Sequence, residues 1–359
     1  MKVIITGSHF SPAYAVIRKS KWDIVVVGRK YALSNTQKES FEYKLCKEKK
    51  IPFRVLDVPR FLRVSPVRSF LSSISLFKAI KKARNIIKEE NCDIVLSFGG
   101  YTALPVVIAA RTLRKPVIIH EQTLGAGFSN KISSYFADRI LISFSSSRKY
   151  FPKNKTYLTG NPIREELLSL SSISPLVKTV KPIIYVTGGS TGSMAINDLI
   201  GKIFPSLSDY FIIHQYGVSE SEIKGENYLG KSYFSPSEVA WIMRNASLII
   251  SRSGINTVTE VLYLRLPAIF IPLPHGQKNE QLKNARYAQK NARATYFIQE
   301  KIVPREILRE IRDKIRKGRS TKENEAIQKS AKATDLIINE TEKLYKKTQE
   351  KRSKGAKNI

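Results

Sequence analysis

Residues 251–260, Ser-Arg-Ser-Gly-Ile-Asn-Thr-Val-Thr-Glu, combine a polar turn with a carboxylate on a predicted helix. The apolar run 248–250 precedes the turn, so the pattern predicts a strand, a loop and a helix that carries Glu260. A second apolar run, 268–271, ends in a polar loop with Glu280 and Gln281 just beyond it. Ligands bind at the carboxyl ends of strands in parallel sheets. A carboxylate there can accept hydrogen bonds from both hydroxyls of a ribose, and the Glu-Gln pair can bond sugar hydroxyls. The two segments together predict a nucleotide-sugar site.

A glycine-rich loop follows another predicted strand in the middle of the chain. The strand 183–187 leads into residues 188–193, Gly-Gly-Ser-Thr-Gly-Ser, and a helical apolar pattern comes next. Glycines let the backbone approach a pyrophosphate closely, and a helix N-terminus carries a partial positive charge. The loop therefore predicts a diphosphate site, although its glycine spacing differs from the dinucleotide fingerprint. Arg164 could add a charge-assisted contact to the same diphosphate; the alternative is a surface arginine at a domain edge.

The first predicted strand ends in a similar turn. Thr6, Gly7, Ser8 and His9 lie where that strand meets the first helix, and exposed backbone N–H groups at such a turn can bind phosphate. The ordinary pKa of histidine lies near neutrality, so His9 could act as a general base. The alternative interpretation is an ordinary polar turn in which the histidine caps a helix.

A third set of polar residues follows two further predicted strands. Tyr101 comes after Gly99-Gly100, and the run His120-Glu-Gln-Thr123 ends the strand that begins at Val117. Asn130 lies shortly beyond it. These side chains could line a catalytic cleft. His120 could equally be a buried histidine bonded to backbone, and Glu121 a buried structural carboxylate.

The stretch 58–88 is basic and partly apolar. It holds eight basic residues and no acidic one. Phe70, Leu71 and Ile74 lie beside Lys78 and Lys81, a combination that suits insertion at an anionic lipid surface. Two different interpretations are a loop packed on the domain with a solvated basic face, and an RNA-binding surface. No RNA-recognition motif accompanies these residues.

Length, composition and charge limit the kinds of protein that this chain can be. The chain has 359 residues, enough for two domains, and 42% of them are hydrophobic. No apolar run approaches the ~18 residues that span a bilayer, and the first residues predict a β-strand instead of a signal peptide. Cys46 and Cys92 have no metal-like spacing, which is typical of reduced thiols in a cytoplasm. The net charge of +31 indicates an anionic partner or a general bias of the source proteome.

The order of the apolar runs predicts two α/β domains. Short β-rich runs alternate with helix-compatible segments, and the pattern restarts near residue 183, so we predict two doubly wound parallel sheets. The predicted divisions are a first domain at 1–160, a second domain at 161–320, a C-terminal helix at 321–347 that packs back on the first domain, and a basic disordered tail at 348–359.

The ordered motifs resemble those of the MurG family. These peripheral membrane glycosyltransferases add N-acetylglucosamine to undecaprenyl-diphospho-N-acetylmuramoyl-pentapeptide. The resemblance covers most of residues 1–300 and includes Gly7-Ser-His-Phe-Ser-Pro-Ala, Gly99-Gly-Tyr, His120-Glu-Gln, Gly160-Asn-Pro-Ile-Arg, Gly188-Gly-Ser, Arg252-Ser-Gly and Thr257-Val-Thr-Glu. It implies the GT-B fold, with two Rossmann-like domains and a cleft between them.

The same resemblance implies roles for individual residues. Catalysis is expected from His9 as the base. The residues expected to bind the donor are Thr6, Gly7, Ser8, Thr123, Arg164, Gly189, Ser190, Ile255, Asn256, Thr257, Val258, Thr259, Glu260, Glu280 and Gln281. The residues expected around the acceptor are Tyr101, His120, Glu121, Gln122 and Asn130, and those expected at the membrane are Phe70, Leu71, Ile74, Lys78 and Lys81.

We therefore expect an inverting transfer from UDP-N-acetylglucosamine to an undecaprenyl-diphosphate acceptor, at the cytoplasmic face of the membrane. No cofactor or obligatory metal is expected, because no Asp-x-Asp pair lies in a suitable loop. The chain departs from the family pattern at Thr123, Thr191 and Glu280. These positions lie near the sugar and acceptor, so a transferase for another polyprenyl-linked glycan stays an alternative. A UDP-sugar epimerase is a second enzyme class that fits the nucleotide motifs. A basic nucleic-acid-binding protein is a non-enzymatic class, but the ordered sugar-nucleotide motifs argue against it, and we expect no nucleic-acid partner.

Overall fold

The computed structural model describes residues 1–7, 10–31, 39–58, 66–169, 175–189, 192–218, 223–274, 279–321 and 325–356, with backbone alone in 66–74, 325–326 and 354–356. The chain divides into two compact units. Unit 1 comprises Met1–Pro162 and Lys332–Ile359, and unit 2 comprises Ile163–Ala331.

The centre of unit 1 is a parallel sheet. Within the described residues its strands are β1 (Lys2–Thr6), β2 (Asp23–Gly28), β3 (Phe53–Val55), β4 (Ile94–Ser97), β5 (Val117–Glu121), β6 (Arg139–Ile142) and β7 (Thr156–Leu158). They pair in the order β3-β2-β1-β4-β5-β6-β7. The reversal of strand order beside β1 defines a doubly wound topology, in which ligands bind beyond the carboxyl ends of the strands.

Alternation of buried side chains explains why helices cover both faces of this sheet. Ile4 and Val95 belong to one core, whereas Val3, Ile5 and Ile94 belong to another. Successive side chains of a strand point to opposite faces, so both faces are apolar and must be covered. The helices that follow these strands in the chain are α1 (Phe10–Lys19), α2 (Phe41–Glu48), α3 (Pro66–Glu90), α4 (Ala103–Thr112) and α5 (Phe128–Phe136).

The last helix of the chain, α13 (Ala333–Ala356), returns to unit 1. It buries Ile337 and Leu344 in the core beside α1. Asp335 pairs with Lys19, and the Trp22 indole N–H donates to Glu342 at 3.1 Å. Our expectation of a disordered tail from residue 348 differs from the structure, because α13 continues to Ala356. Lys, Glu, Gln and Arg dominate this end, and their high helix propensity extends the helix without apolar periodicity.

Unit 2 repeats the architecture. Its described strands are β8 (Ile183–Thr187), β9 (Phe211–Gln215), β10 (Tyr228–Lys231), β11 (Ala246–Ser251), β12 (Ala268–Phe270) and β13 (Ala294–Tyr296), in the parallel order β10-β9-β8-β11-β12-β13. It begins with the short helix α6 (Glu165–Leu168), and its longer helices are α7 (Met194–Ile203), α8 (Pro236–Asn245), α9 (Ile255–Leu264), α10 (Glu280–Asn291) and α11 (Pro304–Lys317).

The end of unit 2 lies later than the sequence predicted. Helix α12 (Glu325–Ala331) belongs to unit 2, since Ile327 is buried in the core that contains Val258 and Val261 of α9. The return to unit 1 therefore begins at Lys332, not at residue 321. We predicted one helix over residues 321–347, where the charged sequence has no Gly or Pro to divide it.

Candidate functional site

The loops after three strands of unit 2 leave the sheet side by side. Ser251 pairs with Thr187 on one side and with Phe270 on the other, so β8, β11 and β12 end at one level. Helices α7 and α9 begin shortly after the first two of these strands. Two helix N-termini at one sheet edge provide N–H donors and partial positive charge, which is an arrangement that binds phosphate.

Close packing explains the glycines of the loop 188–193. A Cβ at Gly188 would lie 2.3 Å from the Ser193 nitrogen, and one at Gly192 would lie 2.2 Å from the Tyr216 oxygen. Gly189 has a φ of +87°, and the space where its Cβ would lie is open. The amide of Gln215 donates to the Gly189 carbonyl at 3.1 Å and holds the turn. Ser190 and Thr191 lie outside the described residues.

Arg252 joins the loops that surround this edge. Its guanidinium donates to the carbonyls of Ile271 and Pro272 at 3.0 and 3.2 Å, and to Ser193 Oγ and Gln299 Oε1, both at 2.7 Å. Burial lowers the pKa of this arginine. The sequence pattern placed Arg252 in the turn after a buried strand and indicated no role for it. We infer that Arg252 fixes the relative positions of the loops after β8, β11 and β12.

Arg164 and Glu260 form a bidentate ion pair. Arg164 Nε donates to Glu260 Oε1 at 2.6 Å, and Nη2 donates to Oε2 at 2.9 Å. The glutamate side chain is only 6% exposed and the arginine side chain 32%. From sequence we expected separate contacts, with a diphosphate for the arginine and a ribose for the glutamate. The pair fixes the direction of the Glu260 carboxylate, whose remaining lone pairs can still accept hydrogen bonds.

The other predicted donor residues of unit 2 differ in exposure. On α9, Ile255, Val258 and Thr259 are buried, whereas Asn256 and Thr257 are half-buried. Gln281 Oε1 accepts a hydrogen bond from the Leu273 N–H at 2.9 Å, which leaves its amide NH2 to donate. The Ser253 hydroxyl donates to the Gln281 carbonyl at 2.8 Å and thereby fixes the start of α10, where Glu280 is half-buried.

In unit 1, the loops after β1, β4 and β5 also lie side by side. Thr6 pairs with Ser97, which pairs with Ile119. Gly7 has a φ of +146°, and a Cβ there would lie 2.9 Å from Phe98. Thr6 is fully buried, so its side chain is enclosed at the point where the loop that leads to His9 begins. Ser8 and His9 lie outside the described residues.

Glu121 is a buried carboxylate at the centre of a hydrogen-bond network. One carboxylate oxygen accepts from the Thr123 N–H and hydroxyl at 2.9 and 2.7 Å. The other accepts from the Gly127 N–H at 2.9 Å and from the Asn130 amide at 3.1 Å. The Asn130 amide also donates to the His120 carbonyl at 3.1 Å. The carboxylate therefore fixes the conformation of the loop 121–130. Because it accepts the Thr123 hydroxyl proton, Thr123 can offer a ligand only its acceptor lone pairs.

We expect Glu121→Ala to lower the free energy of unfolding by about 3 kcal/mol, because it removes four hydrogen bonds to a buried carboxylate and leaves the buried Asn130 amide with one acceptor fewer. Glu121→Gln keeps one carbonyl acceptor and should be less destabilising. Urea unfolding monitored by circular dichroism measures both changes, and Glu89→Ala, an exposed glutamate in the same unit, is the control. Equal stability of Glu121→Ala and the wild type would contradict this structural role.

The remaining acceptor candidates are mostly enclosed. His120 is fully buried, with Nε2 3.3 Å from the Gly160 carbonyl and 3.3 Å from Ser143 Oγ. Gln122 and Asn130 are also buried. Tyr101 is half-buried, and its hydroxyl accepts a hydrogen bond from Arg29, whose guanidinium lies 5.3 Å from the ring centroid. Arg29 was missed in the sequence because nothing there places it beside Tyr101.

His214 is a buried histidine on β9 that bonds to side chains of α7 and β10. Its Nε2 lies 3.1 Å from Asn197 Oδ1, which can only accept, so Nε2 carries the proton. Its Nδ1 then accepts from the Tyr228 hydroxyl at 2.9 Å. Burial lowers the pKa of His214 to about 4. The folded protein thus keeps a neutral imidazole at pH values where the unfolded chain is protonated.

This difference predicts a pH-dependent stability. The unfolded histidine takes up a proton below about pH 6.5 while the folded one does not, so stability falls as the pH falls from about 6.5 towards 4. Between pH 7 and 5 the loss from this group is about 2 kcal/mol. We expect the difference in unfolding free energy between the wild type and His214→Gln to shrink by that amount, measured by urea unfolding at both pH values. A difference that stays constant would exclude this linkage.

The predicted membrane face lies on α3. Lys78 and Lys81 are exposed, as is Phe77, whose side chain is 72% accessible. The side chains of Phe70, Leu71 and Ile74 lie outside the described ones. In the described part of the chain, no helix is both long and apolar enough to cross a bilayer. The same residues contain no group of three or more His, Cys, Asp or Glu side chains placed to hold a metal ion.

Comparison with known proteins decides the family. The model of the glycosyltransferase family 28 N-terminal domain matches residues 3–142, and that of the C-terminal domain matches residues 183–340. A relative from Clostridium novyi (strain NT) is 31% identical over 96% of this chain and 99% of its own length. It is named UDP-N-acetylglucosamine--N-acetylmuramyl-(pentapeptide) pyrophosphoryl-undecaprenol N-acetylglucosamine transferase. The chain belongs to the MurG family.

A second relative agrees with MurG membership, and solved structures agree with the fold. A relative of the same name from Clostridium perfringens (strain SM101 / Type A) is 32% identical over 87% of this chain and 89% of its own. The crystal structure of Acinetobacter baumannii MurG superimposes with a TM-score of 0.68 at 24% identity, over 95% of this chain and 99% of that one. The predicted GT-B fold is thus confirmed, and the protein is a glycosyltransferase. The Neisseria meningitidis UDP-GlcNAc 2-epimerase shares the fold, with a TM-score of 0.62 at 14% identity over 96% of this chain and 100% of its own.

Proposed function

We propose that this enzyme transfers N-acetylglucosamine from UDP-N-acetylglucosamine to the lipid-linked muramoyl-pentapeptide, with inversion at the anomeric carbon. The observation that carries the proposal is the similarity to the Clostridium novyi transferase over 96% of the chain. The strand-end loops of unit 2 agree with it, because they combine the chemistry of a nucleotide site with a buried, oriented carboxylate.

In this proposal unit 2 binds the donor. Glu260 accepts hydrogen bonds from the ribose hydroxyls, and its pairing with Arg164 fixes the carboxylate before the ligand arrives. The loop 188–193 and the N-termini of α7 and α9 surround the diphosphate, so backbone N–H groups and helix dipoles compensate its charge. Ser190 and Gly189 belong to this loop. Asn256 and Thr257 are the half-buried residues of α9 that contact the nucleoside.

Three polar side chains select the sugar. Gln281 presents its amide NH2 to the sugar hydroxyls because its carbonyl already accepts from Leu273. Glu280 begins the same helix and accepts from neighbouring hydroxyls. Thr123 offers an acceptor lone pair because Glu121 takes its hydroxyl proton. Unit 2 therefore offers the sugar one hydrogen-bond donor and one acceptor, and unit 1 offers an acceptor at Thr123.

The reaction itself needs a base and a stabilised leaving group. The acceptor hydroxyl attacks the anomeric carbon while His9 removes its proton, and the bond from that carbon to the UDP oxygen breaks. UDP departs with an additional negative charge, which the Gly188–Ser190 amides and the two helix dipoles stabilise. Gly7 and Ser8 shape the loop that holds His9 beside the acceptor diphosphate.

Unit 1 brings the enzyme to its lipid substrate. Lys78 and Lys81 are exposed on α3, and Phe70, Leu71 and Ile74 precede them on the same helix. Cationic side chains attract anionic headgroups while apolar ones enter the interface. In this proposal the enzyme is a peripheral protein at the cytoplasmic face of the membrane.

Acceptor-dependent UDP release tests the proposal. Purified protein with UDP-N-acetylglucosamine and lipid-linked muramoyl-pentapeptide should release UDP, and omission of the acceptor should abolish the release. A transferase for another polyprenyl-linked glycan would bind UDP without turning over this acceptor. An epimerase would convert UDP-N-acetylglucosamine alone, which proton NMR of the nucleotide sugar detects; that result would overturn the proposal.

A further inference from the structure

A cavity of about 610 Å³ lies in unit 1 at the edge opposite the strand-end loops. Its wall includes Pro116, Asp138 and Lys155, which stand immediately before β5, β6 and β7. The end of α4 and the last turns of α13 complete it. The cavity is therefore at the amino ends of the strands, whereas the residues proposed for transfer lie at the carboxyl ends.

The lining of this cavity is strongly cationic. Arg111 lies at the end of α4, Arg114 and Lys115 lie in the turn after it, Arg139 and Lys155 lie at the strand starts, and Lys347 and Lys351 lie on α13. Asp138 is the one acidic side chain among the lining residues that the structure describes. Its Oδ2 accepts from the Val117 N–H at 2.9 Å, and its Oδ1 lies 3.7 Å from Arg111.

Only part of the positive charge is compensated inside the protein. Arg139 pairs with Glu340, and Arg111 pairs weakly with Asp138. In the part of the chain that the structure describes, no ion pair within 4.0 Å joins an acid to the remaining cations of the wall, Arg114, Lys115, Lys155, Lys347 and Lys351. Like charges that converge on one cavity repel each other, and an anion between them would relieve the repulsion.

Lys155 and Lys115 are half-buried, whereas Arg114, Lys347 and Lys351 are exposed at the mouth of the cavity. The Lys155 ammonium donates to the Ala137 carbonyl at 2.8 Å. Burial lowers the pKa of Lys155, and Arg111 lowers it further while Asp138 acts in the opposite direction. An anion in the cavity would stabilise the charged form of this lysine.

Two simpler explanations account for part of the pattern. Cations near a helix C-terminus interact favourably with its dipole, which explains some basic residues at the ends of α4 and α13. The chain is also basic throughout, with a net charge of +31. Neither explanation accounts for the convergence of cations from four separate elements on one concave space. Arg139 and Lys155 are not in the last turn of any α-helix.

We propose that this cavity binds a multiply charged phosphate group. Phosphate oxygens accept charge-assisted hydrogen bonds from guanidinium and ammonium groups, and Arg114 with the uncompensated lysines supplies both kinds of donor. The group could belong to a soluble polyphosphate or to an anionic lipid headgroup, since both present the same chemistry. The site is independent of the proposed transfer reaction.

The test uses the full chain with the double variant Lys347→Ala/Lys351→Ala. Its matched control is Lys346→Ala/Arg352→Ala, which removes the same charge from exposed positions of the same helix that do not line the cavity. Isothermal titration with sodium tripolyphosphate measures binding of a soluble polyphosphate, and flotation with phosphatidylglycerol vesicles measures binding of a lipid headgroup. Arg114→Asn tests a second element, because Arg114 has a φ of +54° that asparagine tolerates.

We expect the cavity variants to weaken tripolyphosphate binding about tenfold, and the control to change it less than about twofold. If the cavity variants, but not the control, lose vesicle binding while tripolyphosphate binding is unchanged, the phosphate belongs to a lipid headgroup, and this result also supports the site. Equal effects of the cavity and control pairs, or no effect of either, would overturn the proposal by showing diffuse attraction. UDP release with a detergent-solubilised acceptor should be unchanged in all variants. A failure of the phosphate-site proposal is therefore distinguishable from a failure of the proposed transferase function.

Discussion

Arg164→Met should lower the free energy of unfolding by about 3 kcal/mol and weaken UDP-N-acetylglucosamine binding at the same time. The variant removes both hydrogen bonds to a carboxylate that is only 6% exposed, and the glutamate is left as an uncompensated buried charge. Its direction is then no longer fixed, so it should bind the ribose less well. Urea unfolding and isothermal titration with UDP measure the two effects.

A double variant separates stability from binding. Arg164→Met/Glu260→Leu replaces the pair by apolar side chains and should recover most of the lost stability, as such replacements of buried pairs often do. It should not recover UDP binding, since no carboxylate is left for the ribose. Arg286→Met, at an exposed position of α10, controls for the loss of one arginine. Recovery of UDP binding in the double variant would refute the ribose role of Glu260.

His9→Ala should lower kcat by about 10² to 10⁴ while the affinity for UDP stays unchanged. The reason is chemical: the acceptor hydroxyl must lose a proton as the new bond forms, and an imidazole with a pKa near neutrality is a suitable base. Strand β1 and the turn at Gly7 end at the carboxyl edge of the unit 1 sheet, and His9 follows two positions later in the chain.

The pH profile distinguishes a base from a structural residue. Wild-type kcat should fall on the acid side as the base is protonated, and His9→Gln should lose that limb together with most of its activity. A variant that keeps wild-type kcat, or a slow variant with an unchanged acid limb, would remove His9 from the mechanism. UDP titration of the same variant provides the control for folding of the donor site.

The long strands and the fold class could be predicted from sequence because central parallel strands are buried on both faces. Runs such as Ile24–Val27 and Leu248–Ile250 are continuous apolar stretches for this reason. Strands β3, β7 and β10 were missed. They are short and lie at or near sheet edges, and their exposed or half-buried residues include Arg54, Tyr157 and Lys231, so they give no apolar run.

The candidate site was predictable residue by residue but not as a set of contacts. Glu260 and Arg164 are 96 positions apart, and only the folded unit shows that they pair. Arg252 was visible in its motif, but its hydrogen bonds reach Ser193, Gln299 and the end of β12, which no local pattern indicates. His120 and Glu121 could be interpreted as catalytic or structural, and their burial favours support of the loop 121–130.

The most direct test of the proposed transfer is the fate of labelled N-acetylglucosamine. UDP-[14C]N-acetylglucosamine is incubated with the protein and lipid-linked muramoyl-pentapeptide, and the label in the lipid fraction is identified after mild acid hydrolysis. We predict a β-linked disaccharide-pentapeptide that forms in wild type and is almost absent with His9→Ala. Label that stays in the aqueous nucleotide fraction, although UDP-N-acetylglucosamine binds tightly, would contradict the proposed transfer to this acceptor.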